Sequence, residues 1–195
     1  MRAVIFILMA TLPLVPRSAT AQRPNLTVRL ANDSERERDT RDQLFRLLGE
    51  HDVERWIETR DIVIEQMATP HSHPVLTLST LHLDSDLHLL STFLHEQFHW
   101  YAIRNAEARD SAIAAFREHW PDVPVGGSAG ARDEGSSYLH FVVCDLEFQA
   151  MTLLVGREEA ARVLDGYTHY EWIHDTIIGD PFVRSVMVRH GLVLQ

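Results

Sequence analysis

The sequence contains no lysine, and all 18 of its basic residues are arginines. Because 28 acidic residues outnumber them, the formal net charge is −10. An acidic chain without a basic cluster has no general attraction for nucleic-acid backbones or anionic lipid surfaces. We therefore expect no nucleic acid as a partner. The absence of lysine also excludes covalent catalysis by a lysine amine.

Cysteine is almost absent as well, since Cys144 is the single one in the chain. An intrachain disulfide and a four-cysteine zinc site are both excluded by this count. The chain has 12 histidines and 28 carboxylate side chains. Any bound metal must therefore be held mainly by imidazoles and carboxylates.

A long hydrophobic run occurs only at the N-terminus, where Arg2 precedes the apolar residues 3–12. The run is shorter than the roughly 20 residues that a membrane-spanning helix needs, and residues 17–21 end in the Ala-Thr-Ala pattern of a signal-peptidase site. We predict that residues 1–21 are a signal peptide cleaved after Ala21. The protein would then be secreted or periplasmic, with no membrane span in the mature chain.

Residues 22–195 are predicted to form a single, helix-rich α+β domain. Asp33 and Ser34 are suited to cap a helix that ends before Gly49, and a short helical stretch is expected over 53–57. Ranges 61–67 and 75–83 resemble strands, and the proline-bounded turn between them predicts an antiparallel hairpin over 61–83. Helices are expected at 86–105, 107–119, 133–155, 157–165, 171–178 and 181–189.

The most informative pattern is His95-Glu96-Gln97-Phe98-His99, which lies within the amphipathic helix predicted at 86–105. Residues four apart lie on one helix face, so His95 and His99 can bind the same metal ion. Glu96 is placed beside them, where a general base for metal-assisted hydrolysis is needed. The pattern predicts a zinc site with Glu96 as the catalytic residue.

The motif resembles that of the zincin metallopeptidases, whose active-site helix follows a small sheet with an antiparallel edge strand. Metzincins add a glycine and a third histidine soon after the motif, and both are missing after His99. The closer resemblance is to the gluzincins, in which a glutamate from a later helix is the third zinc ligand.

Glu134 is the candidate that this resemblance favours. Residues 132–138 are similar to the Asn-Glu-Gly-Phe-Ala segment of gluzincin aminopeptidases, although Asp133 replaces the asparagine and two serines replace Phe-Ala. The resemblance implies one Zn²⁺ per chain, bound by His95, His99 and Glu134.

Two alternatives for the third ligand lie on the predicted helix at 133–155. His140, Cys144 and Glu147 share one helix face, and either His140 or Glu147 could replace Glu134 as the ligand. Glu147 could instead form a hydrogen bond to a ligating histidine.

The sequence therefore predicts an exported zinc metallopeptidase that cleaves a peptide or protein substrate with a zinc-activated water. The alternatives are a catalytically silent zincin-fold binding protein and a periplasmic zinc-binding protein in which His71 and His73 assist. We expect these two histidines to lie in a solvated loop. Four downstream residues are candidates for stabilising the oxyanion of the reaction: Tyr167, His169, Tyr170 and His174.

Overall fold

The computed structural model describes residues 24–195. The predicted signal peptide, residues 1–21, lies outside the described residues. The chain order is β1 (Thr27–Leu30), α1 (Glu35–Glu50), a 3₁₀ turn (Glu54–Trp56), β2 (Asp61–Ile64), β3 (Leu76–Leu78), α2 (Asp86–Arg104), α3 (Ala106–His119), α4 (Glu134–Val155), α5 (Arg157–Asp165), α6 (Glu171–Gly179) and α7 (Pro181–Arg189).

The predicted helices are confirmed, and local capping explains where two of them begin. At the start of α1 the Ser34 side chain accepts a hydrogen bond from Glu37 N, while the Glu37 carboxylate accepts one from Ser34 N. This reciprocal capping box satisfies backbone donors that have no partner within the helix. At the start of α4 the Asp133 side chain accepts from Ser136 N in the same way.

The predicted antiparallel hairpin over 61–83 is wrong, because the three strands form a parallel sheet in the order β1-β2-β3. The chain reverses direction twice between β2 and β3. A tight turn follows Glu65, after which His71 pairs with Thr77 in an antiparallel bridge. The second reversal, at the proline-bounded segment, restores the original direction. The prediction recognised the second reversal and missed the first.

Strand β1 was not predicted, because the segment that contains it is polar to mixed in composition. Its residues alternate between exposed and half-buried, since it lies at the edge of the sheet beside β2. The central strand supplies the fully buried Ile62 and Ile64.

Helix α4 is the centre of the fold and packs against α2, α3, α5, α6 and α7, while α2 also contacts β3 and α1. By length and composition α4 could cross a membrane, but 72% of its apolar window is buried inside the protein. An apolar helix surrounded by other helices is typical of a protein core. The pair formed by α2 and α4 carries the residues of the site described next.

Candidate metal centre

The predicted motif lies on α2, and its middle residues fix the rotation of that helix. Gln97 is fully buried; its side-chain oxygen accepts from the backbone N–H groups of Glu58 and Thr59, and its amide donates to Thr59 O at 2.9 Å. Phe98 is fully buried in the core. With these two residues held by the protein interior, His95 and His99 face α4.

Three imidazoles meet between α2 and α4. His95 and His99 come from α2 and His140 from α4, and a ring nitrogen of each lies within 4.8 Å of the others. Their ring centroids are 5.0 to 5.5 Å apart. This cluster could hold a metal ion.

Hydrogen bonds orient two of the three rings. His95 Nδ1 lies 2.8 Å from Glu147 Oε2, and His140 Nδ1 lies 2.7 Å from the backbone oxygen of Ser136. Since a carboxylate and a carbonyl both accept, each Nδ1 carries a proton, and Nε2 is the ring nitrogen left for a metal ion. Metal-binding histidines are oriented by this kind of contact in many proteins.

A second group of donors, His95, Cys144 and Glu147, lies deeper. Burial raises the pKa of the Cys144 thiol to about 11, so the thiol is protonated near pH 7 and its sulfur lies 3.9 Å from His95 Nδ1. Glu147 Oε1 also accepts a hydrogen bond from Ser91 Oγ. We interpret this inner group as a support for His95 and the three imidazoles as the metal-facing set.

The imidazoles differ in their electrostatic surroundings. Burial, followed by the nearby His95, lowers the pKa of His99 to about 2 and that of His140 to about 3. Burial acts in the same direction on His95, but the Glu147 carboxylate and the contact with Cys144 outweigh it and raise that pKa. Two of the three rings are thus neutral near pH 7, as metal binding requires.

Glu96 lies beside the cluster, and its side chain is buried and lines the same cavity as His95. Burial raises the pKa of its carboxyl to about 7; Glu147 adds to this effect, while His95 and His71 oppose it. The predicted general base is therefore at the position that the motif implies, next to an open volume of about 820 Å³.

Glu134, the third ligand implied by the resemblance, is not brought to the histidines. Its Oε1 lies 2.8 Å from Arg117 Nη1, and its side chain is 55% exposed. It lies six positions before His140, which corresponds to about 9 Å along the helix and a different face. The structure favours the alternative that the sequence left open, His140, and gives Glu147 the contact with His95.

The four candidates for stabilising the oxyanion differ in their surroundings. The Tyr167 hydroxyl is shared with Thr92 Oγ1 and the His88 backbone, and His174 is buried at 2% exposure. His169 is exposed. The Tyr170 ring lies 4.2 Å from that of His140, and its backbone is left-handed at φ 56°. By ring contact, Tyr170 is thus the candidate closest to the three-imidazole cluster.

His71 and His73 lie in the loop before β3, outside the imidazole cluster. Both side chains are exposed, as expected. His73 stacks on Trp100 with centroids 4.1 Å apart, and Trp100 Nε1 donates to Ser72 O. These contacts hold the loop against Trp100, the residue after the motif, and its two histidines are not part of the imidazole cluster.

The sequence placed His140 on one helix face with Cys144 and Glu147 but gave no reason to prefer it over Glu134 or Glu147 as the third ligand. The useful signal was a polar triplet with helical spacing in an otherwise apolar helix. Scans against models of protein families, and searches of curated proteins and of solved structures, found no match for this chain.

Proposed function

We propose that the protein is a zinc-dependent peptidase whose metal is held by His95, His99 and His140. The observation that carries the proposal is the approach of His140 from α4 to the motif histidines of α2, with Glu96 lining the same cavity. Three imidazole ligands that leave room for further coordination are typical of catalytic zinc rather than of closed structural sites.

The donor set supports zinc as the metal. Imidazole nitrogens suit zinc and other late transition metals, whereas calcium and magnesium prefer oxygen ligands. Bound zinc would supply Lewis acidity, polarising a substrate carbonyl and lowering the pKa of a water. The hydrogen bonds to Glu147 and to Ser136 O hold His95 and His140 in place for it.

The chain's own residues supply the proton transfers. In this proposal Glu96 takes a proton from the attacking water and delivers it to the leaving amine. The carboxylate is buried and next to His95, so its position is fixed by α2. The volume of about 820 Å³ in front of it accommodates several substrate residues.

Tyr170, which also lines the cavity, supports the proposal. A non-glycine residue with positive φ is uncommon and costs free energy, and such residues cluster at functional sites. The left-handed backbone places its ring 4.2 Å from His140 and 6.3 Å from His95. We assign Tyr170 the role of donating a hydrogen bond to the developing oxyanion.

The test measures zinc content and peptide hydrolysis in the same preparations of the mature chain. The variants are Glu96→Gln, His140→Ala and, as a matched control on α4, Glu134→Ala. Zinc should remain in the wild type, in Glu96→Gln and in Glu134→Ala, and should be lost from His140→Ala. Hydrolysis of a mixed peptide library should fall at least about 10²-fold in Glu96→Gln.

Three results would contradict the proposal. Absence of zinc after reconstitution of the wild type would reject the metal site. Zinc at full occupancy without hydrolysis of any library peptide would favour a zinc-binding protein without turnover. Loss of zinc from Glu134→Ala, with retention in His140→Ala, would return the third ligand to Glu134.

A further inference from the structure

The cavity beside Glu96 extends beyond the metal cluster to a second set of rings. We call His82, His88, Tyr167 and His169 the ring wall; all four line the cavity. None of them belongs to the imidazole group that could hold the metal. Catalysis as proposed above does not use them, so the ring wall requires a separate explanation.

The ring wall is an ordered arrangement of aromatic contacts. His82 and His88 are stacked with centroids 5.5 Å apart, and the Tyr167 ring meets them edge-on at 6.1 and 5.1 Å. The His169 ring lies 5.0 Å from Tyr167. These distances and angles are those of favourable ring pairs in protein interiors.

Hydrogen bonds hold the ring wall in position before any ligand arrives. Ser85 Oγ lies 2.7 Å from His88 Nδ1, and the Tyr167 hydroxyl is 3.2 Å from Thr92 Oγ1 and 3.3 Å from the His88 backbone oxygen. A subsite whose side chains are already ordered binds a ligand at lower entropic cost.

Full charges are scarce at this end of the cavity. Burial lowers the pKa of His82, so its ring is neutral at pH 7. Three carboxylates line the described part of the cavity: Asp84 is exposed, whereas Glu96 and Glu147 are buried close to His95. Arg132 is the one arginine in that lining, and its side chain is 89% exposed. Glu147 is already bonded to His95 and Ser91, and the charged side chains of the lining that lie away from His95, Asp84 and Arg132, are exposed to solvent.

Part of the cavity lining carries no side chains. Gly126, Gly127 and Gly130 line the cavity without side chains of their own. The lining of the cavity thus combines flat rings with backbone that carries no side chains. A planar group can stack on the faces of such rings.

We propose that the ring wall receives an aromatic side chain of a peptide substrate, at a position flanking the scissile bond. The inference rests on the proposed peptidase function and adds its substrate class. Stacking of one aromatic ring on another contributes beyond the apolar area that it buries. The resulting preference should be roughly two- to tenfold in kcat/KM for an aromatic side chain over a saturated one of equal size.

The experiment compares peptides that differ at one position near the cleaved bond. That position carries phenylalanine, cyclohexylalanine, leucine, arginine or glutamate, and cyclohexylalanine matches phenylalanine in size without its π system. The enzymes are the wild type, His88→Leu, His82→Leu and the control His119→Leu. His119 stacks on Phe182 at 3.8 Å, and both lie outside the cavity.

The wild type and His119→Leu should prefer phenylalanine over cyclohexylalanine. Both ring-wall variants should lose that preference while still cleaving the leucine peptide. The inference is overturned if the wild type treats the two peptides equally, or if arginine or glutamate is preferred. Circular dichroism verifies that each variant is folded. His82→Leu and His88→Leu remove different rings of the same wall, so both should give the same result.

A binding measurement separates this inference from the proposed function. Dissociation constants of the same peptides are measured with Glu96→Gln. Tighter binding of the phenylalanine peptide, lost on adding His88→Leu, supports the ring wall even if no peptide is ever cleaved. Equal binding of all five peptides, or no binding, would overturn the inference even if the wild type proves to be a peptidase.

Discussion

His95 Nδ1 lies 2.8 Å from Glu147 Oε2, although 52 positions separate the two residues in the chain. The contact joins α2 to α4 at the level of the proposed metal site. Glu147 is almost fully buried and also accepts a hydrogen bond from Ser91. A buried carboxylate requires such partners, and here the contact with His95 also fixes a ring of the proposed metal site.

Replacing Glu147 by glutamine should weaken zinc binding about 10- to 100-fold. Glutamine keeps the size of the side chain but removes the negative charge that stabilises His95 with its Nδ1 proton. The dissociation constant for zinc, measured by competition with a chelator, checks this. Glu134→Gln is the matched control on the same helix and should bind zinc as the wild type does. Equal affinities for all three proteins would reject the supporting role of Glu147.

Replacing Tyr170 by phenylalanine should lower kcat about 10²-fold while KM and zinc content stay close to the wild-type values. The substitution removes only the hydroxyl, so the ring contact with His140 is kept. Steady-state kinetics on a cleaved library peptide provide the measurement. Tyr101→Phe, a half-buried tyrosine at the far end of α2, is the control. A rise in KM without a change in kcat would assign Tyr170 to substrate binding instead.

Two glycine substitutions should change stability in opposite directions. A Cβ on Gly130 would overlap the backbone oxygen of Pro124, so Gly130→Ala should destabilise the fold by about 1–3 kcal/mol. A Cβ on Gly135 would lie 3.5 Å from Asp133 Oδ1, an ordinary contact. Because alanine favours the helix more than glycine does, Gly135→Ala should stabilise by up to about 1 kcal/mol. Urea unfolding measures both, and the same sign for both would contradict the local geometry.

Asp145 should make stability depend on pH. Asp145 is 2% exposed. Burial raises the pKa of its carboxyl from 3.8 to about 6, although a hydrogen bond from Gln149 and the Arg184 guanidinium at 3.9 Å both act to lower it. The folded protein therefore binds a proton more tightly than the unfolded chain does. This group's contribution to stability falls as the pH rises from about 4 to 6 and is constant above that range.

Asp145→Asn should consequently stabilise the protein at pH 7, on the order of 2 kcal/mol, with the gain disappearing towards pH 4. Urea unfolding of wild type and variant at several pH values gives the difference, in which the titration of the histidines cancels. The exposed Asp165→Asn is the control. A difference that grows as the pH falls would show that the carboxylate stabilises the fold.

The helices could be predicted because their signals are local. Ser34 and Asp133 cap their helices through side chains three residues away from the donors that they satisfy, and proline or glycine marks several of the ends. The direction of β3 could not be predicted, since it depends on the number of reversals between Ile64 and Leu76. The tight turn after Glu65 contains neither glycine nor proline.

The sequence by itself determined the pair of histidines on one helix face and the glutamate between them, because a spacing of four residues fixes their geometry wherever the helix lies. The tertiary structure decided the third imidazole. Glu134 and His140 are on the same helix, and only the packing of α4 against α2 selects which of them meets His95. That packing depends on buried contacts between residues far apart in the chain, and no local pattern in the sequence encodes it.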